Sequence, residues 1–133
     1  NVCVLAYNMS FEKTVIKDLA KMFPKYKNHL MNIHDNIKDL IIPFRNDLFY
    51  TKDMHGRSTI KYVLPALFKD EPELNYQNLE GVHKGDEASS AYANLSNLSD
   101  EEKLKVRNQL QKYCELDTFA MVKIHEKLVS LVK

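Results

Sequence analysis

The most constraining feature of this chain is a six-residue apolar run beside its start, Val2-Cys3-Val4-Leu5-Ala6-Tyr7, which does not alternate. A run without polar alternation reads as a strand buried on both faces, the kind found inside α/β sheets. A helical pattern follows at once, with Phe11, Val15, Leu19 and Phe23 recurring at helical spacing, flanked by Ile16 and Met22. Asn8 and Ser10 are candidate caps for that helix, and Pro24 ends it or opens the next turn. A second helix is expected over about residues 25–36, with Leu30, Ile33 and Ile37 on its apolar face.

A second strand is expected at 39–43, in the run Asp39-Leu40-Ile41-Ile42-Pro43-Phe44, with Pro43 stopping it early. Leu48-Phe49-Tyr50 reads as a short extension. Residues 51–57 read as a loop, and Ser58 as the cap of a helix carrying Ile60, Val63, Leu64 and Leu67, with Pro65 set against its continuity. Residues 69–81 look irregular. Asp86 is placed to cap a small helix with Ala88, Ala91 and Ala93 as close-packing residues. Ser99 and Glu102 form a capping box before a long helical pattern through Leu104, Leu110, Tyr113, Leu116, Ala120, Ile124, Leu128 and Leu131. The total is two or three strands and at least five helices. So few strands do not make a stable sheet. The reading is therefore a helix-rich α/β fold with an incomplete central sheet, in which strand 2–7 is central and the missing strands come from upstream or from another chain.

A chain of 133 residues fits one domain. Charged residues make up 28% and hydrophobic ones 44%, an ordinary balance. The formal net charge of +1 gives nucleic-acid binding no global support, so a local basic patch would be needed. Cys3 and Cys114 form no CxxC pair, and Cys114 reads as a small buried hydrophobe. With no disulfide framework, a reducing cytoplasm is the default location. No stretch approaches the roughly 18–20 apolar residues that span a bilayer. The start at Asn1, directly before a strand, suggests a fragment of a longer protein.

Among the five histidines no His-x-x-x-His or His-Glu-x-x-His pattern occurs, which argues against zinc. Three scattered glycines make no phosphate loop. The Lys13, Lys17, Lys21 stripe, extended by Lys25, reads as a solvated helix face. Arg57 and Lys61 bracket a helix start, where backbone N–H groups favour anions.

Two short segments carry the chemistry. Asn8-Met9-Ser10-Phe11-Glu12 sits where a strand gives way to a helix. Tyr113-Cys114-Glu115-Leu116-Asp117 sits on a helix, with Tyr113 and Asp117 at i and i+4 on one face. Carboxylate oxygens suit hard divalent cations. A phenol, with an ordinary pKa of about 10, is a poor base at neutral pH and a better orienting hydrogen-bond partner.

The two segments resemble the second and third motifs of the tyrosine class of DEDD 3'-5' exonucleases, which have a ribonuclease-H-like fold. The segments Gly-Arg-Ser-Thr-Ile-Lys-Tyr-Val-Leu-Pro at 56–65 and Tyr-Cys-Glu-Leu-Asp-Thr at 113–118 also resemble an uncharacterised bacterial family of that superfamily. By this resemblance residues 1–133 are the carboxyl-terminal part of a single exonuclease-like domain, without its first motif, an Asp-x-Glu on an earlier strand. The resemblance implies a metal-dependent nuclease acting on DNA or RNA, with Mg2+ or Mn2+ held in part by Glu12 and Asp117. Tyr113 would align the attacking water, and Asn8 and Phe11 would line the substrate groove, with Arg57 and Lys61 on phosphate. Glu12 departs from the Asp usual at its position, and one extra methylene displaces the carboxylate. The resemblance also implies that this piece alone is inactive. The competing reading is a non-catalytic interaction module with a degenerate nuclease fold. A third is a dimer formed through the truncated sheet edge.

Overall fold

In a computed structural model the structure describes residues 3–133. The chain divides into two compact units, Asn1–Tyr50 and Thr51–Lys133. The fold is mixed α/β, rich in helix, with one small parallel sheet.

The first unit runs β1 (Val4–Ala6), α1 (Ser10–Met22), α2 (Lys27–Asp35), β2 (Ile37–Asp39) and α3 (Ile42–Arg45), with a 3-10 turn at Pro24–Tyr26. β1 and β2 pair in parallel, Val4 against Ile37 and Ala6 against Asp39. Two strands joined by helices are present as expected, but both differ from their expected bounds. β1 is shorter than 2–7, and Val2 lies outside the described residues. Within β1 only Ala6 is buried, where full burial was expected. The second strand is Ile37–Asp39, not 39–43. Asp39 turns its carboxylate onto backbone N–H groups instead of continuing the ladder, and Pro43 then sits in the first turn of α3, where its missing N–H costs nothing. Leu48-Phe49-Tyr50 forms no strand.

The apolar face expected on α1 is also displaced. Ala20 is its buried residue and Ile16 is half-buried, while Phe11, Val15, Leu19 and Met22 are exposed. α1 packs on α2 through a different sector from the one that the Phe11-Val15-Leu19 spacing marks. Around the sheet, Ile37, Leu40, Ile41 and Phe44 are buried, and Tyr7 stacks on Phe44 with centroids 6.4 Å apart.

The second unit holds α4 (Ile60–Leu67), α5 (Gly85–Ala93) and α6 (Asp100–Leu131), with 3-10 turns at Lys52–Met54, Pro72–Leu74, Tyr76–Asn78 and Leu95–Asn97. α6 is 32 residues long and opens with the expected capping box. The Ser99 hydroxyl accepts from the Glu102 N–H, and Glu102 Oε2 accepts from the Ser99 N–H at 2.9 Å. α4 and α5 both pack on α6. Met54, Val63, Leu64, Leu74, Tyr76 and Ile124 are fully buried and form a core with Leu116 and Ala120.

α4 continues through Pro65. The position that would cap it is Thr59, not Ser58, and no side-chain hydrogen bond closes it. α5 starts at Gly85, so Asp86 stands inside its first turn and does not cap it. Ala93 is exposed while Ala88 and Ala91 are half-buried. Gly81 adopts φ 83°, and a Cβ there would come within 2.5 Å of the Gln109 side chain on α6.

Candidate functional site

The expected site residues fall on both units. In the first unit, the turn from β1 into α1 is held by Asp39, at the carboxyl end of the neighbouring strand. Its Oδ1 accepts from the N–H of Asn8 at 2.8 Å and of Ile41 at 3.2 Å, and its Oδ2 accepts from the N–H of Met9 at 3.0 Å. A carboxylate on the free N–H groups that open a helix is favoured by hydrogen bonding and by the helix dipole. Asp39 thus fixes the turn that leads into α1. Neither Asn8 nor Ser10 caps α1 as expected: Met9 holds the cap position, and no side-chain hydrogen bond closes it. Asn8 takes a left-handed conformation, φ 66°, which asparagine tolerates better than most residues. Its Oδ1 accepts from Arg45 Nη2 at 3.0 Å.

Glu12 stands in the first turn of α1, and its Oε2 is buried without a hydrogen-bond partner. Phe11 is largely exposed, at 71%. Burial, reinforced by the Asp39 charge, pushes the Tyr7 phenol well above its ordinary pKa.

In the second unit, Tyr113, Asp117 and Lys61 come together, and a residue not singled out in the sequence joins them. The Tyr76 hydroxyl donates to Asp117 Oδ1 at 2.6 Å. The Tyr76 ring meets the Tyr113 ring edge-on, with centroids 5.9 Å apart. The Lys61 ammonium lies over both rings, 5.7 Å from the Tyr76 centroid and 5.9 Å from that of Tyr113. Burial raises the pKa of Asp117, against the Tyr76 hydrogen bond and the Lys61 charge, which lower it. Burial also lowers the pKa of Lys61, against Asp117, Asp86 and Glu87. Both shifts have one cause: loss of water outweighs the attraction between opposite charges. The Tyr113 phenol is pushed up to about 12, by burial first and then by Asp117. It is a neutral hydrogen-bonding group near pH 7, as its chemistry led us to expect. Cys114, one residue along, is exposed rather than buried, because the turn of α6 carries it off the Tyr113 face.

Arg57 stacks on Tyr62, its guanidinium 4.8 Å from the ring centroid. His55 (φ 51°) and Gly56 (φ 72°) set the turn before it. Lys61 also lines an open cleft of about 320 Å3 with Asp53, His55, Tyr62, Lys69 and Gln77, where Lys69 pairs with Asp53.

Glu12 and Asp117 offer the hard oxygen donors that magnesium and manganese prefer. However, one oxygen of Asp117 is engaged by Tyr76, and no group of three or more His, Cys, Asp or Glu able to hold a metal occurs among the described residues. The residues present do not make a metal site by themselves.

Tyr76 and Asp39 are what the sequence reading missed. Tyr76 lies in an irregular stretch with no periodicity to mark it. Asp39 was read as the first residue of a strand. An Asp ending one strand opposite the start of a helix is a detectable signal only once the parallel pairing is known.

The first 59 residues match a family model described as a domain of unknown function (DUF2779). The chain is 33% identical over 139 residues to "Uncharacterized protein MG366" of Mycoplasma genitalium, an alignment covering 97% of this chain and 21% of that protein. It is 35% identical over 130 residues to "Uncharacterized protein MG366 homolog" of Mycoplasma pneumoniae, covering 90% of this chain and 19% of that protein. No solved structure matches the chain significantly. The chain therefore spans about a fifth of the length of the curated relatives it matches.

Proposed function

We propose that this chain is the carboxyl-terminal part of a ribonuclease-H-like domain whose parent protein is a 3'-5' exonuclease on DNA or RNA. The observation that carries the reading is Tyr113 and Asp117 one turn apart on α6, held side by side by Tyr76 with Lys61 above the rings. A neutral phenol, a carboxylate and a cation are the groups that a phosphodiester and its attacking water need. Glu12, in a first helical turn after a parallel strand, suits the same reading, since sites in α/β folds gather at the carboxyl ends of strands.

Tyr113 would hold the water by hydrogen bonding and not by removing its proton. Lys61 and Arg57 would take phosphate oxygens, while Phe11 and Asn8 would lie along the strand being cut. The intact domain would use Mg2+ or Mn2+, with Glu12 of the first unit and Asp117 of the second each a candidate ligand. The remaining ligands would have to come from outside these residues, so this piece alone is inactive. A cytoplasmic location goes with this reading. Among the described residues no helix is long and apolar enough to cross a membrane.

A second reading has its own support. Asp117 already serves Tyr76, and no metal-holding group is complete among the described residues. That arrangement suits an interaction module that keeps a nuclease-like fold without the chemistry. A third reading is association through the edge of the short sheet, which light scattering at high concentration tests.

The deciding experiment is manganese-dependent cleavage of end-labelled single-stranded DNA and RNA by the full-length protein, beside its Asp117→Asn variant. Stepwise shortening from the 3' end that vanishes in the variant supports the nuclease. No cleavage by folded protein on either substrate overturns it in favour of the module.

A further inference from the structure

From Lys13 to Lys27 the chain carries five lysines, at 13, 17, 21, 25 and 27, against one acid, Asp18. That is a strong local excess in a chain whose formal net charge is +1. At about 100° per residue, Lys13, Lys17 and Lys21 fall within a sector of about 80° on α1, each about 6 Å further along the axis. Lys13 is half-buried and the other four lysines are exposed. They gather along the seam between α1 and α2. There Lys17, Lys21 and Lys27 line an open cleft of about 370 Å3 together with Ala20, Pro24 and Met31. Asp18 pairs with Lys21 at 3.0 Å, but the two side chains are 60% and 77% exposed, and so open a pair is weak and readily exchanged for another anion.

Aromatic rings stand beside these cations. The Lys25 ammonium lies over the Tyr26 ring, 5.7 Å from its centroid, and Tyr26 and Phe23 are both exposed. Cations that follow a phosphate backbone, next to ring faces on which bases stack, are the two parts of a single-strand surface. A lipid surface fits less well. The exposed apolar residues Phe11, Val15, Leu19 and Met22 centre about 150° round the helix from the lysines, so one flat surface cannot engage both.

We propose that the seam of Lys17, Lys21 and Lys27, with Phe23 and Tyr26 at its end, binds single-stranded nucleic acid, the lysines on phosphates and the rings on unpaired bases. This names a contact on the first unit for the nucleic acid of the nuclease reading and rests on that reading for the class of ligand alone. It needs neither Glu12 nor Asp117.

The test is binding of the full-length protein to a fluorescent single-stranded oligothymidylate in EDTA, over a range of salt. Lys17→Gln, Lys21→Gln and Lys27→Gln together should weaken binding by about tenfold and lower the slope of log affinity against log salt by about 2, since each phosphate contact on a single strand contributes roughly 0.7. Lys38→Gln, Lys112→Gln and Lys133→Gln together, at exposed lysines elsewhere, should leave the slope nearly unchanged. Equal slopes in the two triple variants overturn the proposal, whatever the cleavage assay shows. Lysine-dependent binding without any cleavage upholds it and overturns only the nuclease reading. Amine acylation read by mass spectrometry tests for a cover from the protein's own chain. In the free protein Lys17, Lys21 and Lys27 should react as readily as Lys38, and the oligonucleotide should protect them. Protection already present without it overturns the proposal, because the second unit or another part of the chain then covers the seam. So does lysine-dependent binding to anionic phospholipid vesicles with none to the oligonucleotide. If the triple variant fails to fold, acylation of the unmodified protein still decides.

Discussion

The two units carry helices of opposite character. α6 buries Tyr113, Leu116, Ala120 and Ile124 along one face, and α4 and α5 fill the space against it. α1 buries Ala20 and leaves Phe11, Val15, Leu19 and Met22 in solvent. Apolar spacing is legible in both helices, yet it predicts a buried face in one and an unpartnered face in the other. Periodicity reports which side of a helix prefers to leave water. It does not report whether a partner is present among the residues at hand.

The largest expected effect lies in the second unit. Ile124→Ala should destabilise it by about 2–5 kcal/mol, read from urea denaturation, because the side chain is fully buried and the truncation leaves a cavity. A loss no greater than at an exposed site would break the contrast between the units.

Tyr76→Phe comes next. It removes the hydrogen bond to Asp117, a bond to a charged acceptor worth about 1.5–3 kcal/mol. The pH dependence sharpens this. The folded-state pKa of Asp117 is raised above the ordinary 3.8. Its contribution is therefore greatest below 3.8 and is lost as pH rises through the raised value. Asp117→Asn should remove that loss, so the variant gains on the wild type as pH rises through this window. Parallel stability–pH curves for the two would show that Asp117 is solvated.

Ser99→Ala should cost about 1 kcal/mol by opening the capping box of α6. The smallest expected effect is Val15→Ala in the 133-residue chain, within about 0.5 kcal/mol, since the side chain is 40% exposed there. Native-state amide exchange ranks the same contrast without mutation: amides of 113–124 should outlast those of α1. The reverse order would mean that the first unit has its own robust core.

The local signals at α6 and Pro24 were read correctly, while the caps expected at Ser58 and Asp86 were not found. Ser99 and Glu102 need only each other, three residues apart, so their capping box and the long helix after it were evident. Pro24 punctuates the chain through its fixed φ and opens a 3-10 turn. Tyr113 and Asp117 share a face because the helical repeat requires it. Signals that depend on a distant partner were misread. Asp39 looked like the start of a strand; it ends β2 instead, with its carboxylate on the N–H groups of Asn8 and Met9, thirty residues earlier. The Ile41-Ile42-Pro43-Phe44 run looked extended and folded as a helix once that carboxylate turned the chain.

By itself the sequence determined the helix-rich α/β character and the one-turn spacing of Tyr113 and Asp117. These follow from hydrophobic periodicity and helix geometry, which act over a few residues. Only the tertiary structure decided that Tyr76 holds Asp117, that Lys61 sits over two tyrosine rings, and which sector of α1 is buried. Those outcomes rest on contacts across up to about fifty residues and on which apolar surfaces find a partner, and no local pattern encodes either.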